Sequence, residues 1–371
     1  MVCCQSIRLK GLPTSRSGVL VSFMHRIVRL GSDPRLRNFA RAPIEPKKRS
    51  CFPAGYCKHG LIVTTLFLSH PSSAGHDTGP GHPERADRIR VIDQMLEHER
   101  FQMLHRALAP GNDRQAILRV HPETYVDAIH DACPKEGYVE VGPDTILSPG
   151  SWEAIAHAIG GTTAAVNEVM RGDAKNAFLA ARPPGHHAER EVPMGFCFFN
   201  TPAIAARHAQ AVHGAERVAI VDFDVHHGNG TQDIFWSDAS VLYASTHEMP
   251  LFPGTGSVAE TGEHNNIVNA PLKAGDDGVA FREAMESRIL PAVDAFHPDF
   301  IVISSGFDAH RLDPMGHLNL VEADFMWATA KIMELAERHA KGRVVSILEG
   351  GYDLEALARS VAVHVLTLMG A

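Results

Sequence analysis

The sequence is poor in cysteine. Its six cysteines, at 3, 4, 51, 57, 133 and 197, form no C-x-x-C pair and no regular framework. That excludes a disulfide scaffold and makes a reducing, cytoplasmic setting the default reading. No apolar run is long enough to span a bilayer, so no membrane partner is expected. Internal repeats and low-complexity linkers are lacking as well. Acidic residues are scarce in one place only: residues 1–60 hold 12 Lys/Arg against Asp33 and Glu45, whereas the remainder holds 23 basic and 41 acidic residues. An acidic body argues against a nucleic-acid partner. It reads first as a solvated surface, and it also suits a cationic substrate.

Residues 1–58 are Arg-rich and show no sustained periodicity. They read as a basic, disordered arm, or as sequence upstream of the true start. An organelle transit peptide shares this bias, but no long apolar segment supports a secretory signal. Residues 59–371 read as one catalytic domain. What the chain has in plenty is glycine (31), proline (23) and histidine (23), within a composition that is 44% hydrophobic. Shaped loops and chemically active imidazoles are the natural reading.

Buried-strand patterns at 61–68, 176–181, 217–222, 241–245, 300–305 and 343–348 alternate with helical patterns. The helices fall at 86–100, 152–171, 201–212, 281–296, 322–340 and 354–368. Such alternation predicts an α/β fold, a mostly parallel sheet with helices on both faces. Gly160 and Gly161 predict a close helix contact. Sites in such sheets lie beyond the C-terminal strand ends. Polar segments at 182–200, 222–232, 306–317 and 349–353 all fall there.

The run VDFDVHHGNGTQ, residues 221–232, is the most informative of these. An extended strand would place Asp222, Asp224 and His226 on one face. Carboxylate oxygen and imidazole nitrogen suit a divalent ion such as zinc. Asp308, after the apolar run Ile301-Val302-Ile303, is the natural third ligand beside Asp224 and His226. Three protein ligands leave a position for water. His186 and His187 offer a general base and acid, with Asp222 and Asn229 placed to orient them. Tyr352, after Gly350-Gly351, can donate to a developing oxyanion. Blander readings exist for each: a polar turn at 224–226, surface histidines, a helix cap at Asp308, packing for Tyr352.

Taken together, the motifs resemble the zinc-dependent histone deacetylase superfamily, in its class II and bacterial amidohydrolase/acetylpolyamine amidohydrolase branch. HDTGPGHPER, RPPGHHAERE, GFCFFN, VDFDVHHGNGTQD, FPGTGS, SGFDAHRLDP and EGGY stand in the family's order over roughly 65–371. The resemblance implies a three-layer α/β fold of the arginase–deacetylase type. It implies one zinc on Asp224, His226 and Asp308, with His187 as base/acid, His186 as its neighbour and Tyr352 polarising the carbonyl. It implies a tunnel lined by Gly195, Phe196 and Phe252, with Met315 at its mouth and Asp144 gripping substrate backbone; Cys197 becomes a packing residue. It implies a potassium ion on main-chain oxygens of Asp222, Asp224 and His226 with Ser245, and a second near Phe235 and Val241. The arginase branch carries a carboxylate at the position of Gly228 and another at that of His310, so one metal is expected here. The implied activity is removal of acetyl or another small acyl group from acetyl-lysine, acetylpolyamines or another N-acyl amine. A small metabolic or xenobiotic amide is the alternative substrate, and a catalytically silent acyl-binding scaffold the competing class.

Overall fold

The structure, a computed structural model, describes residues 65–371 except Asn112. The basic arm expected over 1–58 lies outside the described residues, as does the start of the first expected strand. Eight parallel strands form one sheet, in the order β2 (His105–Leu108), β1 (Thr65–Ser69), β5 (Asn176–Leu179), β10 (Val344–Leu348), β9 (Phe300–Ser305), β6 (Val218–Asp222), β7 (Val241–Glu248) and β8 (Ile267–Leu272). A separate antiparallel hairpin pairs β3 (Val139–Gly142) with β4 (Thr145–Leu147).

The central strands are buried on both faces, as their continuous apolar runs require. Alternate residues feed two separate cores. Leu179, Ile220, Val302 and Val345 pack with residues of α4 (Ser151–Arg171) and α5 (Thr201–His213). Phe178, Val221, Ile303 and Leu348 pack with those of α1 (Asp87–Leu96), α9 (Glu322–His339) and α10 (Leu354–Met369) on the other face. Each apolar side chain fully buried this way contributes roughly 1.5–3 kcal/mol, which makes the sheet a stiff platform.

Several elements differ from expectation. The helix expected over 281–296 is three pieces: α7 (Gly278–Ala284), a π-helical stretch Met285–Ile289, and α8 (Leu290–Phe296). Pro291 has no N–H to donate to the preceding turn, and the wider π register accommodates that loss. Strand β8 carries Pro271, which is tolerated because β8 is an edge strand. Strand β7 runs three residues further than its apolar run, burying Thr246, His247 and Glu248. Strand β2 is largely exposed and left no apolar signal. The atoms nearest to Gly160 and Gly161 come from the loop after β2 and from β5 rather than from another helix. A Cβ at 160 would lie 2.2 Å from the carbonyl oxygen of Pro110, and one at 161 would lie 2.7 Å from Leu179 Cδ1. The pair seats α4 on the sheet and the loop after β2. No helix among the described residues is long and apolar enough to cross a membrane.

The four motif-bearing strands, β5, β10, β9 and β6, are consecutive at the centre of the sheet. Their C-terminal loops therefore share one crevice.

Candidate metal and catalytic centre

Strand β6 ends at Asp222, so Asp222, Asp224 and His226 do not leave one extended face. The chain turns instead. Oδ1 of Asp222 accepts the N–H of Asp224 at 3.1 Å, and Oδ1 of Asp224 accepts the N–H of His226 at 2.8 Å. Each short carboxylate satisfies the backbone two residues on, the local bond that Asp forms in place of a strand ladder. The result aims Asp224 and His226 at Asp308, which follows β9.

Asp224, His226 and Asp308 are buried, and one ligand atom from each lies within 4.8 Å of the others. Nδ1 of His226 is 3.1 Å from Oδ1 of Asp224 and 3.1 Å from Oδ2 of Asp308. The remaining oxygens are held by backbone: Asp308 Oδ1 accepts from Val225 N at 2.8 Å, and Asp224 Oδ2 from Gly350 N at 2.8 Å. Two glycines make the wall. A Cβ at Gly306 would lie 1.9 Å from Asp224 Oδ2, and one at Gly350 2.0 Å from Asp308 Oδ2. Burial and the Asp224 charge push Asp308 up to about 7. Buried carboxylates crowded this way call for a cation, and the O,N,O donor set fits a zinc ion.

Two histidines converge beside this group, their ring centroids 4.0 Å apart. Nδ1 of His186 is 3.0 Å from Oδ2 of Asp222, and Nδ1 of His187 is 2.9 Å from Oδ1 of Asn229. Their environments drive them apart. Burial opposes charge on His186, yet the carboxylates of Asp224, Asp222 and Glu349 raise it to about 10. Burial, then the charges of His186 and His226, hold His187 well below the usual histidine range. The surroundings favour charge on one ring and neutrality on its neighbour, a separation that suits acid–base work.

Tyr352 is buried and its phenol is pushed well above 10 by burial, so it stays a donor. Its backbone N–H donates to Asp313 Oδ2 at 2.6 Å. The Arg88 guanidinium lies 4.9 Å from the Tyr352 ring centroid; its Nε donates to Gly351 O at 2.7 Å and Nη2 to Glu349 O. Glu84, shared between Arg88 and Arg182, is opposed by burial but held down to about 2, mainly by Arg182. Glu349 accepts from the N–H groups of Gly185 at 2.7 Å and His186 at 3.1 Å.

The sequence reading missed these supports: Arg88, Glu84, Glu349, Asp313 and Tyr243. Tyr243 donates its hydroxyl to Asp222 Oδ2 at 3.0 Å and receives the N–H of Gly228 at 2.9 Å. A Cβ at Gly228 would meet that hydroxyl at 2.5 Å and Asp222 Oδ2 at 2.6 Å. The available signal was Arg182, a charged residue directly after the apolar run Ala177–Ala181.

The expected tunnel residues lie around the centre with unequal exposure. The Phe252 ring is 5.0 Å from His187 and 6.2 Å from His226, and the side chain is 44% exposed, so it forms a rim. Phe196 stands edge-on to Tyr352 at 5.9 Å. Gly195 has φ +55, and a Cβ there would lie 2.5 Å from the His187 ring. Cys197 is buried with its thiol pushed well above 9, so it is no thiolate nucleophile. Met315 is half-buried and its N–H donates to Asp313 Oδ1 at 3.0 Å. Asp144 is exposed at the tip of the β3–β4 hairpin, with its carbonyl 3.4 Å from Nε2 of His82. His310 is buried, with Nε2 3.7 Å from Glu322 Oε2, and is not among the clustered ligands.

Ser245 pairs with Asp222 across β6 and β7, and its Oγ is 2.9 Å from Nδ1 of His247. The second potassium position does not fit. Nδ2 of Asn266 donates to the carbonyls of Phe235 at 2.8 Å, Asp238 at 3.1 Å and Val241 at 3.1 Å. An amide stands at cation-like distances from the oxygens that would bind the ion.

Residues 82–368 match the family model of the histone deacetylase domain. The chain belongs to the histone deacetylase family. It is 39% identical over 294 residues to the histone deacetylase-like amidohydrolase of Pseudomonas aeruginosa, covering 77% of this chain and 75% of that one. A probable deacetylase of Archaeoglobus fulgidus is 37% identical over 302 residues, covering 79% and 82%. The crystal structure of the HDA15 HD domain superposes with a TM-score of 0.78 at 35% identity, covering 83% of this chain and 88% of that one. The sheet and helix layers are those of the arginase–deacetylase fold. The relatives make this chain a member of a deacetylase and amidohydrolase family.

Proposed function

We propose that the protein is a zinc-dependent amide hydrolase that removes acetyl or another small acyl group from an amine. The observation that carries this reading is geometric: His187, with Nδ1 2.9 Å from Asn229 Oδ1, sets its ring centroid 5.9 Å from that of His226 in the buried Asp224–His226–Asp308 group. A silent acyl-binding scaffold has no need of a base and an acid held at opposite protonation beside a metal-ligand set.

Asp224, His226 and Asp308 would hold one zinc ion, which supplies a Lewis acid and an acidified water. His187 takes the attacking water's proton at Nε2, since Nδ1 faces Asn229. The Tyr352 hydroxyl donates to the acyl oxygen as negative charge develops on it. The imidazolium of His186 stabilises that charge and holds His187 neutral beforehand. His187 then returns its proton to the leaving amine, so acid and amine are the products. Phe196 and Phe252 keep water from the acyl group and fit an unbranched chain. A potassium ion at main-chain oxygens of Asp222, Asp224 and His226, beside Ser245, would stiffen the turn that carries the ligands.

The acidic body favours an amine-bearing substrate, acetyl-lysine peptide or acetylpolyamine. A small neutral amide uses the same machinery and is the alternative. Zinc-loaded protein incubated with an acetyl-lysine peptide, an acetylpolyamine and a small anilide tests both. Release of acetate from one of them is expected. Full zinc occupancy with no hydrolysis of any would move the reading to an acyl binder.

A further inference from the structure

We propose that Glu189 is a positioning residue that decides which nitrogen of His187 carries the proton. The inference rests on the amide-hydrolase reading, in which His187 must present a free Nε2.

A primary amide has one acceptor end and one donor end, and only its surroundings decide which way it points. Oδ1 of Asn229 faces Nδ1 of His187 at 2.9 Å. At the other end, Nδ2 of Asn229 donates to Oε1 of Glu189 at 3.0 Å and to Sδ of Met194 at 3.2 Å. While ionised, the Glu189 carboxylate offers no donor hydrogen, nor does the thioether; burial raises Glu189 above the ordinary carboxylate value, and the Asn229 hydrogen bond opposes that rise. The amide cannot flip without setting Oδ1 against a carboxylate oxygen. Oδ1 therefore stays toward His187, Nδ1 must hold the hydrogen, and Nε2 is left with its lone pair.

His186 needs no such device, because its partner is the carboxylate of Asp222, which accepts from either oxygen. Asn229 leaves His187 without a second buried negative charge but introduces an orientation to be fixed. Glu189 supplies it from two residues along the same loop. That loop is itself pinned, with Ala188 N donating to Gly185 O at 3.1 Å and Glu189 N to Val192 O at 3.0 Å. Glu189 is half-buried and accepts from Asn229 Nδ2.

The test compares zinc-loaded full-length Glu189→Leu and Glu189→Gln, using the acetylated substrate turned over fastest by the unsubstituted protein. Leucine removes the acceptor; glutamine keeps an acceptor but loses the charge and gains a donor end, so it fixes the Asn229 amide less firmly than the carboxylate does. We expect kcat to fall at least about tenfold in Glu189→Leu, with KM within about twofold and zinc content unchanged, and by less in Glu189→Gln, which keeps an acceptor but no longer excludes the flipped amide. Histidine 15N spectra, with His187 identified by its loss in His187→Ala, should show Nδ1–H in the unsubstituted protein and lose that form in Glu189→Leu. The double variant Glu189→Leu/Asn229→Asp should regain turnover relative to Glu189→Leu, since a carboxylate at 229 has no donor end to misplace. An unchanged His187 tautomer in folded Glu189→Leu, whatever its activity, overturns the proposal. The spectra also separate the two readings: if no acylated amine is hydrolysed, the hydrolase reading fails while the tautomer still reports on Glu189.

Discussion

The backbone N–H of Tyr352 donates to Oδ2 of Asp313 across 2.6 Å. Asp313 also receives the N–H groups of Asp353 at 3.1 Å and Met315 at 3.0 Å, so one carboxylate ties the loop after β10 to the loop after β9. Replacing it with alanine leaves buried donors unpaired, at about 1–3 kcal/mol for each one that finds no water. Asp313→Ala should lower both the urea midpoint and kcat while retaining metal. Undiminished turnover would show that this tie does not place the phenol.

Tyr352→Phe removes only the hydroxyl. Turnover should fall by about 100- to 1000-fold, the usual cost of losing one oxyanion donor. Zinc content, read by elemental analysis of the purified variant, should not change, because Tyr352 is outside the ligand group. Wild-type turnover in this variant would exclude the assigned role.

The sequence made some of this architecture legible and concealed the rest. The four central strands were readable because burial on both faces forces continuous apolar runs. The clustered Asp224, His226 and Asp308 and the two neighbouring histidines were readable because their types are unusual at strand ends. Arg88, Glu349 and Asp313 were not, since their partners are 261 residues away for Arg88 and Glu349, 164 for Glu349 and Gly185, and 39 for Asp313 and Tyr352. Most of these bonds go to backbone atoms, which leave no mark in residue types. The short exposed strand β2 and the Pro-containing β8 carried no strong pattern, because edge strands need none.

Metal analysis offers a separate check. The native protein should carry about one zinc per chain, and Asp308→Ala should lose it together with activity. Two manganese ions per chain would contradict the assignment of a single-metal centre.

Acid should weaken the fold before it reaches most carboxylates. Burial lowers His76 and His121 to about 4 and His364 to about 3, from an ordinary value of 6.5. The unfolded chain then binds more protons below 6.5, so the stability held by these neutral rings is complete above that pH and is lost as pH falls toward 3. The urea midpoint should drop between pH 7.5 and pH 5, and less steeply in His364→Gln. A midpoint flat across that window would refute this account.

Cation binding should follow Asn266. Crystals soaked in rubidium should show no anomalous peak among the carbonyls of Phe235, Asp238 and Val241. Asn266→Ala removes the amide that occupies their centre and should admit the ion there. A peak in the unsubstituted protein would mean that the amide yields to the cation.

Gly228 sets how far this chain stands from a dinuclear relative. With the Tyr243 hydroxyl and Asp222 crowding its α-carbon, even a methyl group has no space there. A carboxylate at 228 requires Tyr243, on the next strand, to move aside, and Asp222 then loses a donor. Any side chain at 228 thus requires the Tyr243 hydroxyl and the Asp222 carboxylate to give way, and with them the bond that holds Asp222 toward His186.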